Sequence, residues 1–268
     1  MLSSVLFFRC FTLLLPQRYM TCPRFFLLYA VHIHNEKEAH INTQYCIYVL
    51  STTTTTMANT DWDAAVNSTY TTLRSSFKSG KTRDLEWRRQ QLQQFKKMIF
   101  EQKKFFQTCL QCDLHKSHEE GYLMEINPVM HEIQHCLDHL DEWTSPTSKS
   151  VNILNLPGSC ALYKDPLGVV LVAGAWNYPI NLCLSPMAGA IAAGNCIMLK
   201  VPSSKYSQKS ASGMAEMVHK YLDNDCIRVI EGDRHAMTAV LKPRYDKICF
   251  TGGTFVGKIV ARAAAEHL

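Results

Sequence analysis

The sequence predicts an α/β fold: a doubly wound parallel sheet, incomplete at the C-terminus, preceded by an N-terminal helical region and a β-hairpin. Three observations lead to it. From Pro166 onward, short apolar runs alternate with longer helical patterns in the order βαβαβαβα, which crossover connections fold into a parallel sheet. Val169 to Ala173 is apolar at every position, as a strand covered on both faces must be. The last helical pattern, 254–265, reaches the end of the sequence at Leu268 with no strand after it. The sheet is therefore Rossmann-like, and ligands are expected at the carboxyl ends of its strands.

The elements follow in chain order. Residues 1–56 stand apart: Met1 to Pro16 is apolar with Arg9 in its middle, 52–56 is a run of five threonines, and the segment contains no glycine. It reads either as a non-native extension ahead of a true start at Met57 or as a targeting segment with an apolar core at Phe11 to Leu15. Arg9 and the lack of a small-residue cleavage site favour the extension. Residues 57–150 form the helical region. Asp61 to Lys78 predicts one helix, stopped at Ser79-Gly80. Leu85, Leu92, Phe95, Ile99, Phe106 and Leu110 then share one face of a long helix, whose other face carries solvated Arg and Lys. Leu123, Ile126, Met130, Ile133, Leu137 and Leu140 mark another amphipathic helix, in which Pro128 is a kink or a start.

A Ser/Thr/Pro linker leads to the hairpin, 151–165, pairing Val151 to Leu156 with Ala161 to Lys164 around Pro157-Gly158. The partial sheet domain occupies 166–268. Strands are expected at 169–173, 196–201, 226–230 and 247–250. Helices are expected at 185–193, 207–222, 235–242 and 254–265.

Composition narrows the function. Of 268 residues, 47% are apolar and 19% charged, which excludes a disordered or collagen-like chain. No stretch of eighteen uncharged apolar residues occurs, so no membrane span is expected. The net charge of +5 is spread without basic runs, which argues against a nucleic-acid partner. Eleven cysteines stand at irregular spacings, and Cys109 and Cys112 form the only CxxC, with no second pair to complete a thiolate zinc site. Buried, reduced thiols in a cytoplasmic protein are the economical reading; the alternative is membrane association through the N-terminal segment or a further C-terminal tail.

Three motifs compete for the chemistry. His131-Glu132-Ile133-Gln134-His135 is a literal H-E-x-x-H, which on a helix sets two imidazoles one turn apart for zinc, with the glutamate as general base. A zinc peptidase is thus a competing function. No pattern for a third ligand follows, and these histidines and His139 lie beside the apolar stripe, so surface residues are the preferred reading and no metal is expected. Gly252-Gly253-Thr254-Phe255-Val256-Gly257-Lys258 follows a strand and opens a helix. It matches a phosphate-binding loop except that Ile259 stands where a magnesium-binding hydroxyl is needed, which makes nucleotide hydrolysis improbable. What survives is a glycine-lined approach to a helix N-terminus, favourable to a phosphate, or simply a tight turn. Third, Gly174-Ala175-Trp176-Asn177-Tyr178-Pro179 leaves the first parallel strand, and Asn177 there is placed to donate its side-chain amide to a ligand oxygen; a plain turn is the other reading.

Taken together these residues resemble the aldehyde dehydrogenase superfamily, in particular its class 3 (fatty and dimeric) branch. The likeness is carried by Pro166-Leu167-Gly168-Val169-Val170, Gly174 to Pro179, Gly189-Ala190-Ile191-Ala192-Ala193-Gly194-Asn195, Lys200 and Phe250-Thr251-Gly252. Asp113-Leu114-His115-Lys116, Tyr221-Leu222-Asp223 and Val256 to Val260 add to it, so that 57–268 is covered. The resemblance implies NAD(P)-dependent oxidation of aldehydes to carboxylic acids and a homodimer in the full-length protein. It implies that Asn177 stabilises the oxyanion and that Lys200 bonds the adenosine ribose. Trp176, Ser203, Gly252, Gly253, Thr254 and Gly257 would surround NAD or NADP.

Two departures stand out. Where the resemblance implies an acid after the lysine, this chain has Val201-Pro202-Ser203-Ser204 with a local insertion, so weaker discrimination against NADP is expected. The family's general-base glutamate and nucleophilic cysteine match nothing up to Leu268, so the chain alone is expected to be inactive. A non-catalytic dinucleotide-binding or dimerisation protein is the alternative of another class.

Overall fold

The computed structural model describes residues 61–155, 157–202 and 205–267. The expectations for 1–56, and those on Leu156 and Ser203, lie outside these residues. The described chain begins with α1 (Trp62–Lys78), capped by the Asp61 carboxylate on the Ala64 N–H. The expected long helix is two, α2 (Leu85–Glu101) and α3 (Lys103–Leu114), meeting at Gln102. Tertiary contacts fix that joint: Gln102 Nε2 donates to the Tyr221 hydroxyl at 2.9 Å, which donates to Glu101 at 2.7 Å. His115, in the left-handed region at φ 54°, ends α3 and turns the chain into the short α4 (His118–Gly121).

The next amphipathic element starts as a π-helical turn, Tyr122–Ile126, and continues as α5 (Asn127–Thr144) with Pro128 in its first turn. Pro128 has no N–H to return to the Met124 carbonyl, and the widened turn accommodates its ring. The extra residue shifts the buried stripe to Ile126, Val129, Ile133, Cys136 and Leu140, and leaves Leu123 exposed rather than on the core face.

The hairpin is also displaced. β1 (Thr147–Lys149) pairs antiparallel with β2 (Cys160–Leu162), with Ser148 opposite Ala161. Residues 153–155, expected in the first strand, form a 3₁₀ turn because the Asn152 side chain accepts the Leu154 N–H at 3.2 Å.

The parallel sheet matches its expectation closely. It comprises β3 (Val169–Ala173), β4 (Cys196–Lys200), β5 (Ile227–Ile230) and β6 (Lys247–Phe250) in the order β5-β4-β3-β6, every pair parallel. The crossovers are α6 (Pro179–Ala192), α7 (Gln208–Tyr221) and α8 (Arg234–Val240), and α9 (Thr254–Ala265) follows β6. Sheet growth reverses after β5, so right-handed connections put α6 and α7 on one face and α8 on the other. α1 packs beside α8, while α2, α3 and α5 cover α6 and α7. All ten residues of β3 and β4 are buried, as central strands under two helical layers must be.

Among the described cysteines, Cys109, Cys136, Cys160, Cys183, Cys196, Cys226 and Cys249 are free. Cys112 departs from the expected reduced state, being disulfide-bonded.

Candidate functional site

Strand register places the candidate residues. Ala173, the last residue of β3, pairs with Lys200 on one side and Phe250 on the other, and Lys200 pairs with Ile230. The four carboxyl ends thus form one level row, and the loops holding Gly174 to Asn177, Val201-Pro202, Gly232 and Thr251 to Gly253 all leave from it. The order of strands reverses between β3 and β6, the position at which such a sheet is expected to take a ligand. Thr251 N–H donates to the Ala173 carbonyl at 2.9 Å and ties the loops together at their base.

On the β3 side, Gly174 is required by close approach: a Cβ there would lie 2.5 Å from Cys183 Sγ and 3.1 Å from the Cys183 nitrogen. That contact sets α6 tightly against the strand end. Asn177 is exposed, and its side-chain amide has no hydrogen-bond partner among the described residues. Trp176 is 49% exposed, and its ring lies 5.4 Å from that of Tyr206, joining the loops after β3 and β4.

Lys200 is buried. Its ammonium donates to the carbonyls of Val201 at 2.7 Å and Gly232 at 2.8 Å, leaving one N–H for a ligand. Burial lowers its pKa to about 8, against the opposing influence of Cys183, Asp233 and Glu231. On the β6 side, Gly252, Gly253 and Thr254 are exposed, and Gly253 precedes α9 with no side chain capping the helix. Gly252 sits on the Phe250 ring, which a Cβ would approach to 2.5 Å, whereas a Cβ on Gly253 would meet nothing within 4 Å. The α9 amides therefore face open space, the arrangement that suits a phosphate.

The turn bearing Asn177 is held by residues the sequence reading passes over. Glu125, wholly buried in the π turn, accepts the N–H groups of Ile180 and Asn181 at 3.0 and 3.1 Å through Oε2. Its Oε1 meets Lys116 Nζ at 2.6 Å. Lys116 Nζ also donates to the Asn177 carbonyl at 2.8 Å and lies 3.9 Å from the centre of the Tyr178 ring. Burial raises the Glu125 pKa despite the Lys116 and backbone hydrogen bonds that oppose it. An acid between two apolar-stripe positions, just ahead of a helix-starting proline, is the signal in the sequence that could have marked it.

The H-E-x-x-H residues form no site with these. His131 and His135 are exposed on α5; the His135 ring packs 4.3 Å from that of His139, which stacks on Trp143. Among the described residues no group of three His, Cys, Asp or Glu side chains could hold a metal ion. No described helix is long and apolar enough to cross a membrane.

A parallel sheet whose order reverses beside a glycine-lined helix N-terminus and an unpaired amide defines a Rossmann-type α/β protein. The chain belongs to the aldehyde dehydrogenase family, whose model matches residues 43–268. It is 40% identical over 195 residues to "Aldehyde dehydrogenase, dimeric NADP-preferring" of Canis lupus familiaris, covering 73% of this chain and 43% of that protein. It is 41% identical over 196 residues to "Aldehyde dehydrogenase family 3 member A2" of Macaca fascicularis, covering 73% and 40%. The solved structure "Substrate bound state of Staphylococcus Aureus AldH" superposes with a TM-score of 0.73 at 29% identity, over 75% of this chain and 44% of that one. The chain thus spans less than half the length of the relatives it matches.

Proposed function

We propose that this chain supplies the cofactor-binding and oxyanion-stabilising part of an NAD(P)-dependent aldehyde dehydrogenase, which oxidises aldehydes to carboxylic acids and acts as a homodimer. The observation that carries the reading is the level row of strand ends. It brings the Asn177 turn, the Lys200 ammonium and the α9 N-terminus to one end of the sheet.

The donor set fits a dinucleotide. Lys200 has an N–H to spare for a ribose hydroxyl, and Ser203 follows it by three positions in the sequence. The Gly252 and Gly253 backbone and the free amides from Thr254 to Val256 favour the pyrophosphate, with Gly257 lending the close approach of its bare backbone and Trp176 standing on the loop opposite. When bound, the nicotinamide supplies the acceptor for hydride. The chain's own contribution to the chemistry is Asn177, whose amide donates to the aldehyde oxygen as that oxygen gains negative charge.

Cys183, packed against Gly174, is pushed up to about 12 by burial, the reverse of an activated thiolate. The chain alone is therefore expected to bind cofactor without turning over aldehyde.

Tolerance of NADP follows from the residues after Lys200. Ser203-Ser204 offers no carboxylate, Glu231 accepts from the Ser212 hydroxyl at 2.8 Å, and Asp233 caps α8. NADP tolerance is read from the Ser203-Ser204 pair, which leaves no carboxylate directly after the lysine strand.

Titration followed by tryptophan fluorescence tests this. NAD and NADP are expected to bind within about tenfold of each other. Lys200→Met is expected to weaken both at least tenfold with the unfolding midpoint measured alongside. A folded chain that takes up neither nucleotide would overturn the reading, and a hundredfold preference for NAD would overturn the part concerning NADP.

A further inference from the structure

Glu125 and Lys116 form a charged pair almost free of solvent, at 0% and 8% exposure, and a buried pair of this kind seldom stabilises a fold more than apolar side chains of the same size. Its geometry points elsewhere. Hydrogen bonds from the pair reach both sides of one short segment: the Asn177 carbonyl from Lys116, and the Ile180 and Asn181 amides to Glu125. A third tie runs from the same region. The Met124 carbonyl, which Pro128 cannot satisfy because it has no N–H, accepts the Asn181 side-chain amide at 3.2 Å. The Tyr178 ring packs against the Lys116 ammonium between these ties. Every one of these contacts holds backbone or neighbours of Asn177, while its own amide stays free and exposed.

We infer that Lys116 and Glu125 are positioning residues, a buried ionic clamp that sets the direction of the Asn177 amide. The inference rests on the reading that this amide meets the aldehyde oxygen. The π-helical turn is part of the device, because it places Glu125 in the core on the same element that leaves Met124 exposed. α6 has no capping side chain of its own, so the clamp also starts the helix at Pro179, directly after the Asn177 turn. Removing one partner leaves the other charge buried and unpaired, whereas replacing both with apolar groups removes the charges and leaves only the backbone groups of the Asn177 turn without these partners. The two kinds of variant therefore separate positioning from stability.

The test compares Lys116→Met, Glu125→Gln and the double variant Lys116→Met/Glu125→Leu by site-resolved amide hydrogen exchange and by urea unfolding. The double variant is expected to lose less in unfolding midpoint than either single variant, because no lone charge is left buried, yet to exchange at Ile180 and Asn181 at least tenfold faster than the fall in midpoint accounts for. Unchanged exchange at these amides would overturn the clamp, as would faster exchange that merely follows a fall in global stability. In the aldehyde-oxidising enzyme containing this segment, the double variant is expected to lose at least tenfold in kcat while the cofactor Kd stays within twofold. Equal losses in both would mark a general structural role instead. Asn177→Ala in that enzyme separates the two claims. If turnover survives it while exchange has risen in the clamp variants, the oxyanion reading fails and the clamp stands. If turnover is lost but exchange is unchanged, the clamp alone fails.

Discussion

Asn177 and Gly174 show how much of the site depends on single atoms. Asn177 projects an unpaired side-chain amide from a turn whose backbone carbonyl is held by Lys116. Gly174 lets α6 approach so closely that the missing Cβ is replaced by Cys183 Sγ, 2.5 Å from where the methyl would be. Gly174→Ala is expected to destabilise by about 1–3 kcal/mol, the usual penalty for overpacking. Cys183→Ala opens the space the methyl needs. The double variant should therefore be more stable than the sum of the two single losses by about 1 kcal/mol or more, read from urea midpoints. Strict additivity would show that the two residues do not share that contact.

At the scale of elements, the helical region serves the sheet as a supplier of caps. Neither α6 nor α7 is capped by its own preceding side chain. Glu125 satisfies the first amides of α6, and Asp113 does the same for α7, accepting from Lys209 at 3.1 Å and Ser210 at 2.7 Å. The run Asp113 to Lys116 thus has a physical reason for its spacing. Asp113 reaches α7, the left-handed His115 turns the chain, and Lys116 reaches the Asn177 turn. Asp113→Ala is expected to cost about 1–2 kcal/mol, and Asp113→Asn less because one acceptor oxygen remains. Equal stability of all three chains would show that α7 needs no such cap. The histidine-bearing α5 behaves differently: His131 and His135 lie on the outer surface, while Ile133 between them belongs to the apolar inner face.

Across the whole molecule, burial controls how stability depends on pH. Cys109, Cys136 and Cys183 are each pushed from 9.0 up to about 12 by desolvation. A thiol that ionises less readily in the folded chain contributes stability that is complete below pH 9 and is lost as pH rises toward 12. Lys200, lowered from 10.5 to about 8, works in the opposite sense: between these values the folded chain has already given up a proton that the unfolded chain retains. Rising pH in that window therefore favours the native state through Lys200. Three thiols outweigh one amine, so between about pH 9 and 10.5 the unfolding constant should rise by up to a hundredfold per pH unit. Urea titrations under reducing conditions check this. A midpoint that holds steady from pH 8.5 to 10.5 would contradict it, and Cys183→Ala should flatten the slope.

The helical and strand types, and the loops that leave the carboxyl ends of the strands, were legible in the sequence. Val169–Ala173 and Lys247–Phe250 fall where their apolar runs predict, and Thr254–Ala265 begins where Gly252-Gly253 ends the strand. Less was legible wherever a distant partner supplied a hydrogen bond. α6 starts at Pro179, six residues before its periodic pattern, because its cap comes from Glu125. The hairpin register shifted because Asn152 bends the chain locally.

What the sequence determined by itself was the class of each segment, since apolar period and glycine placement act on the chain locally. Only the tertiary structure decided the strand order β5-β4-β3-β6, the level row of strand ends and the Lys116–Glu125 clamp. A free amide at a helix start, or an edge on a growing sheet, accepts any suitable partner that packing brings to it, and residues far apart in the chain carry no local mark of that meeting.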